Sequence, residues 1–318
     1  PPLAFELVCI QVEEHESGGE PFRIRAMGIT STSSPRIDCA TKASLTHSHG
    51  VFAEPDVQGV EIVWKFIKHQ AAVGTSLVSS TVRGWRGTMQ KRGDVPFAEE
   101  ITLELYEFEG CPFCRLVREA ITELQLDVMV YPCPPNGERF RPKAHELAGG
   151  KTTFPFLVDR ENDVMMSESK DIIEHLWQTR AGKSAPARSP LAVPTSALAS
   201  LVRGRRGAKV RPSRSPEQPL ELYSFESSPY SRLVREVLCE LELPYTLWSG
   251  GKEQVADIGP TGYRLHRGEY HPVDGGRRAT MKERGLPIQF PVLVDPNTGK
   301  KIADSPRIIE YLEKTYGA

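Results

Sequence analysis

Long apolar runs are missing from this chain. None approaches the ~20 residues that a membrane-spanning helix requires, so no such helix is expected. An excess of one charge is missing too: 40 Lys and Arg face 41 Asp and Glu, a formal net charge of −1, which argues for no particular partner. Cysteine is sparse, with six in 318 residues (Cys9, Cys39, Cys111, Cys114, Cys133 and Cys239), and a secreted disulfide scaffold would be shorter and denser in it. Managed thiols in an intracellular compartment fit better. No signal peptide with a basic start and an apolar core is visible. The chain opens at Pro1 and not at methionine, which leaves room for a preceding segment. The stretch from Phe22 to Gly50 is rich in Ser, Thr and basic residues with one acid, Asp38, a composition that resembles an organelle transit segment, although Glu13, Glu14 and Glu16 precede it.

What is present is an internal repeat. "LELYEFEGCPFCRLVREAITELQL" from Leu103 lies over "LELYSFESSPYSRLVREVLCELEL" from Leu220, with 15 of 24 positions identical. "FPFLVDRENDVMMSESKDIIEHL" from Phe154 matches "FPVLVDPNTGKKIADSPRIIEYL" from Phe290, so the second copy carries 19 extra residues between its blocks. Leu103 to Phe108 is a β-prone run, and Leu116, Val117, Ala120, Ile121 and Leu124 follow at helical spacing. Val128 to Tyr131 reads as a second strand. Phe156 to Val158 and Val164 to Met166 read as a hairpin, and Ile172, Ile173, Leu176 and Trp177 mark a closing helix. The order is β-α-β, then β-β-α, which predicts a mixed sheet in each of two small α/β domains.

Four segments follow: an N-terminal extension over 1–100, partly helical or disordered; a first domain over 101–182; a linker over 183–217; and a second domain over 218–318. The linker holds Lys183, Arg188, Arg203, Arg205, Arg206, Lys209, Arg211 and Arg214 among Pro, Ser, Gly and Ala, a composition that predicts a mobile tether making at most weak contact with an anionic surface. It lacks the interleaved aromatics that stack bases, so nucleic acid is not an expected partner. In the extension, Val57, Val60, Ile62, Val63, Phe66 and Ile67 predict an amphipathic helix packed on the first domain, with membrane-surface attachment as the alternative. The insertion in the second copy, with Arg264, Arg267, Arg277, Arg278, Lys282 and Arg284, reads as a solvated loop or a partner contact.

The pair Cys111 and Cys114 brackets Pro112 and Phe113 between a strand and a helix. Unpaired N–H groups and the positive end of the helix dipole stabilise a thiolate at Cys111. Cys114, one turn in, can attack a mixed disulfide on Cys111. Pro112 suits a first helical turn because no N–H is needed there. Zinc would require further ligands, for which only the loose Cys39, His47 and His49 group offers itself, so no metal is expected. Cys133 reads as a buried small residue. In the second copy, Ser228 and Ser231 replace both cysteines and cannot form a disulfide.

Cys111-Pro112-Phe113-Cys114, Phe154-Pro155 before a strand, and Glu168-Ser169 opening the last helix resemble a glutaredoxin or the N-terminal, thioredoxin-like domain of a glutathione transferase. The two domains in tandem resemble a plastid-type group of plant and algal proteins, over about Ile101 to Thr179 and Leu220 to Tyr316. The resemblance implies two thioredoxin-like domains, a cis-proline at Pro155 and Pro291, a plastid location, and glutathione as co-substrate. It also implies a cradle made of Phe154, Pro155, Glu168 and Ser169, with Ser169 as N-cap and Arg115 or Lys151 on the glycyl carboxylate. The second-domain equivalents are Ser228, Ser231, Phe290, Pro291, Asp304 and Ser305. A full transferase follows this domain with a helical one; here linker-like residues follow the first copy and nothing follows the second. That favours a glutathione-linked thiol–disulfide oxidoreductase, glutaredoxin-like, acting also on protein disulfides. A non-enzymatic redox-sensing interaction or assembly factor is the alternative, and a glutathione transferase comes third.

Overall fold

The computed structural model describes residues 57–91, 97, 100–259 and 268–318. The transit-like stretch, the Cys39, His47 and His49 group, and Arg264 and Arg267 lie outside them. Among the described residues, no helix is long and apolar enough to cross a membrane. Two thioredoxin-like domains share one sheet. The first domain runs β1 (Leu103–Glu107), α2 (Pro112–Leu124), β2 (Asp127–Pro132), α3 (Arg141–Leu147), β3 (Phe156–Asp159), β4 (Val164–Ser167) and α4 (Ser169–Ala181). The second repeats it with β5 (Leu220–Ser224), α6 (Pro229–Glu240), β6 (Tyr245–Ser249), α7 (Arg277–Glu283), β7 (Val292–Asp295), β8 (Lys300–Ala303) and α8 (Ser305–Tyr316). α3 and α7 add a helix to the predicted order; each is short and offers too few periodic apolar positions to be read from sequence.

The strands lie in the order β4-β3-β1-β2-β6-β5-β7-β8. Within each domain the crossover pairs are parallel and the hairpin pairs antiparallel. The two domains join where β2 and β6 pair antiparallel, Asp127 opposite Trp248 and Val130 opposite Tyr245. Each of these strands would otherwise be an unpaired edge, and their pairing satisfies both rows of backbone groups. One apolar core runs through both domains, from Leu105, Ile121 and Leu176 to Leu222, Leu238 and Leu312, all 0% exposed. Each such side chain contributes roughly 1.5–3 kcal/mol by leaving water.

The predicted tether at 183–217 is ordered. It contains α5 (Ala192–Val202), which packs against α2 and against α1 (Val57–Val82). Two of its arginines find buried carboxylates, Arg188 donating to Glu119 at 3.1 Å and Arg203 to Glu236 at 2.7 Å, and Arg211 pairs with the partly exposed Glu313 at 2.7 Å. Lys183, Arg205, Arg206, Lys209 and Arg214 stay exposed. The amphipathic helix of the extension also differs from expectation. Val63, Phe66 and Ile67 are exposed, and α1 packs through its later turns on α5 and on α6 of the second domain. Where it is described, the insertion is partly buried: Arg277 pairs with Asp127 and Arg278 with Asp257 at 3.3 Å, while Lys282 and Arg284 are exposed, Arg284 pairing with Glu221 at 3.0 Å.

α1 and α5 are themselves copies. Residues 72–89 and 192–209 share 10 of 18 positions, among them Thr75 and Thr195, Ser76 and Ser196, and Arg83 and Arg203. Their contacts repeat as well. Arg83 grips Glu119 at 2.7 Å and donates to Ala192 O and Thr195; Arg203 grips Glu236 at 2.7 Å and donates to Ala72 O and Thr75. Each helix straps the opposite copy: Ser196 donates to Pro112 O at 2.7 Å and Ser76 to Pro229 O at 2.9 Å.

Candidate functional site

β1 delivers the chain to Cys111, which caps α2 with φ −75° and ψ 125°, and Pro112 opens the helix. Cys111 Sγ accepts the Cys114 N–H at 3.3 Å and lies 3.8 Å from Phe154 O. Both cysteines are free thiols, Cys111 3% and Cys114 0% exposed. A hydrogen bond from the Cys114 side chain lowers the Cys111 pKa, against the cost of burial and with help from the backbone N–H groups of Cys114 and Phe113. Burial, and the need to keep donating to Cys111, push Cys114 well up. The environment thus shifts two chemically identical groups in opposite directions, Cys111 toward and Cys114 away from the thiolate.

The Phe154–Pro155 bond is cis and sets the Phe154 carbonyl beside Cys111. β4 ends at Ser167, and Glu168 turns the chain with φ 77° and ψ 106°, a backbone shape that non-glycine residues rarely adopt. Glu168, not Ser169, takes the N-cap position; its carboxylate makes no cap hydrogen bond and is exposed. Ser169, 9% exposed, is the first helical residue. Neither side chain has a hydrogen-bond partner among the described residues. An open groove next to them is lined by Lys151, Thr152, Thr153, Phe156, Ser167 and Glu168.

Arg115 does not belong with these residues. It is 1% exposed and points toward the second domain, donating to Glu226 at 3.2 Å and to Ser200 at 3.3 Å. It joins Arg118, Arg232 and Arg235 in a buried cluster around Glu226. Arg118 reaches Glu226 at 2.8 Å and also Glu107; Arg235 reaches Glu109 at 3.0 Å and Glu226 at 2.9 Å. Of Arg115 and Lys151, only Lys151 is exposed.

The second domain keeps the backbone of the site and fills it from within. The Phe290–Pro291 bond is cis, Asp304 repeats the positive φ at 72°, and Ser228 caps α6 by accepting the Ser231 N–H at 3.2 Å. α1 and the turn after it lie against this site. Ser227 receives Ser80 at its carbonyl at 2.8 Å, gives its N–H to Gly87 O at 3.2 Å, and bonds Thr88 through its hydroxyl. His69 Nε2 sits 3.2 Å from the Ser305 hydroxyl. Ser228, Ser231 and Ser305 are 2%, 0% and 1% exposed.

Two groups escaped the sequence reading. Arg141 lies over the Phe154 ring, 4.5 Å from its centroid, and α1 occupies the second site. The signal for the second was present in the Thr-Ser and Arg-Gly pattern shared by 72–89 and 192–209; the first had none.

No curated protein matches the chain. The family described as "Glutathione S-transferase, N-terminal domain" matches residues 105–184 and again 222–318, more than half of the chain, and the protein belongs to that family.

Proposed function

We propose that the first domain is a glutathione-linked thiol–disulfide oxidoreductase and that the second serves as its structural partner. The observation that carries this is the division of the two thiols: Cys111, at a helix N-terminus beside the Phe154 carbonyl, is eased toward the thiolate while Cys114 is held protonated. The Cys111 thiolate attacks the glutathione sulfur of a mixed disulfide, forming Cys111–S–S–glutathione and expelling the partner as a thiolate, which takes a proton from water. A second glutathione thiolate then displaces Cys111, giving glutathione disulfide and the free thiolate. In a dithiol route, Cys114 loses its proton and displaces glutathione, and two further glutathiones reduce the Cys111–Cys114 bond. Phe154 and Pro155 supply the backbone edge for the cysteinyl part of glutathione. The unpartnered Glu168 carboxylate suits its ammonium group, the Ser169 hydroxyl its γ-glutamyl carboxylate, and Lys151 its glycyl carboxylate.

The filled second site supports a structural role for that domain, because Ser305 is already engaged by His69. One observation favours the alternative of a redox-sensing assembly factor: Cys111 is 3% exposed and α5 is seated on Pro112. The plastid location rests on the tandem resemblance, and import of the full chain into isolated plastids tests it.

Reduction of a small glutathione mixed disulfide by wild type, Cys111→Ser and Cys114→Ser decides between the readings. The oxidoreductase reading expects loss with Cys111→Ser and activity retained with Cys114→Ser by the monothiol route. Equal, negligible rates in wild type and Cys111→Ser would sink it.

A further inference from the structure

α1 is an amphipathic helix packed with its polar side inward. Ser76, Ser79 and Ser80 are 0% exposed and donate to Pro229 O at 2.9 Å, Ala199 O at 3.0 Å and Ser227 O at 2.8 Å. On the opposite side Val63, Ile67, Leu77 and Val78 fall within roughly 100° of one another at the helical repeat, and all four are exposed. α5 repeats the inversion. Ser196 donates to Pro112 O at 2.7 Å and Ala199 is buried, while Leu191 just before the helix, Leu198 and Leu201 point outward, Leu201 with 73% of its surface exposed.

A helix on a globular protein ordinarily turns its apolar stripe to the core. Here two copies of one helix hold backbone carbonyls with their hydroxyls and leave the apolar stripe outside. The helices run antiparallel: Arg83 after α1 donates to Ala192 O at the start of α5, and Arg203 after α5 donates to Ala72 O within α1. Their outward stripes therefore adjoin and form one exposed apolar face, of the kind that marks an interaction surface.

The charges around this face select its partner. Val57–Val82 holds one acid, Glu61, which pairs with Lys65 at 2.8 Å; α5 holds none, and none occurs over 183–216. Lys68 is exposed beside Trp64, its Nζ 5.2 Å from the ring centroid, and Arg205, Arg206 and Lys209 are exposed after α5. Trp64 and Phe66 are exposed as well, and aromatic rings of this kind settle at the level of lipid headgroups. A second copy seated by two-fold symmetry would bring the same cations against each other.

We propose that the outward face of α1 and α5 lies on an anionic lipid bilayer, with its apolar side chains entering the acyl boundary and the flanking cations meeting headgroup charge. This surface does not depend on the oxidoreductase reading of Cys111.

The test sediments the full chain with unilamellar vesicles of phosphatidylcholine alone, or with about one third phosphatidylserine. Binding is expected to the anionic vesicles, and it should weaken as salt rises. Ile67→Ser with Leu201→Ser should weaken it roughly tenfold or more, and Arg205→Gln with Arg206→Gln roughly fivefold for each charge removed. Both variants should melt close to wild type, because the replaced side chains are exposed. If the apolar pair melts early, the arginine pair decides. Absence of binding, equal binding to neutral and anionic vesicles, or binding that neither variant weakens overturns the proposal. So does a dimer in sedimentation velocity that the apolar pair dissolves while vesicles stay unbound, which would assign the face to a second copy.

Discussion

Replacing Glu226 by glutamine removes the carboxylate on which the buried arginines of both domains converge. Arg118, Arg235 and Arg115 lie 2.8, 2.9 and 3.2 Å from it, and Arg232 3.8 Å. Burial opposes the charge on Glu226, but the four guanidinium groups more than offset that cost and hold its pKa well below the ordinary carboxylate range. Glutamine keeps the size and part of the hydrogen bonding, yet leaves four cations facing Glu109 and Glu107. Breaking a buried pair by removing one partner costs about 3–5 kcal/mol. For a unit of this size each kcal/mol moves the midpoint by about 2–4 °C, so Tm should drop by roughly 6–20 °C.

The pH dependence gives a second, independent signature of the same change. A carboxylate depressed in the folded state contributes stability that is fully present above its unfolded pKa and is lost as pH falls toward its folded one. The deficit of Glu226→Gln against wild type should therefore be largest near neutrality and shrink by up to about 1.4 kcal/mol for each pH unit below the ordinary range. Urea unfolding of both proteins at pH 7, 5 and 3 reads both effects. A deficit under about 1 kcal/mol at pH 7, or one that does not shrink in acid, would refute the reasoning, since the pair would then be no better than a surface contact.

Three further outcomes follow. Cys114→Ala removes the hydrogen bond that does most to lower the Cys111 pKa, so the midpoint of Cys111 alkylation against pH should move upward; a downward shift would contradict the assignment. Glu107 is pushed up to about 7 by burial, with Glu109 and Glu226 adding to it against Arg118. Its folded form holds the proton more tightly, so its share of stability is present at low pH and lost as pH rises toward 7; Glu107→Gln should flatten that slope in urea unfolding between pH 5 and 7. Gly207 has φ +67° and a Cβ there would meet Glu109 Cβ at 2.7 Å, so Gly207→Ala should cost at least about 1–2 kcal/mol, read as a lower Tm.

The repeat, the two α/β units and the strand-to-helix setting of Cys111 were legible because each rests on a local pattern: 15 identities in 24, helical spacing from Leu116 to Leu124, and a cysteine followed by proline. The joining of the sheets was not, since β2 and β6 pair through backbone groups that any strand edge offers. The fate of the arginines was hidden for a different reason. Arg115, Arg118 and Glu119 sit on the polar face of an amphipathic helix, where charge normally means solvent. What buries them is the second copy, with its own Arg232, Arg235 and Glu236, together with α5 packed on α2 and α1 packed on α6.

That burial accounts for what the second copy kept and what it lost. In it Ser228 and Ser231 stand where the first copy has its cysteines, both buried, and the Ser305 hydroxyl is engaged by His69. Its charges are retained because α2 depends on them: Glu226 holds Arg115 and Arg118, which lie one and two turns beyond Cys111 on the same helix. A helix fixed at those two points keeps its N-terminal N–H groups aimed at the Cys111 sulfur. On this account the second domain acts on the first site through position alone, and weakening Glu226 should loosen the Cys114 N–H to Cys111 contact along with the fold.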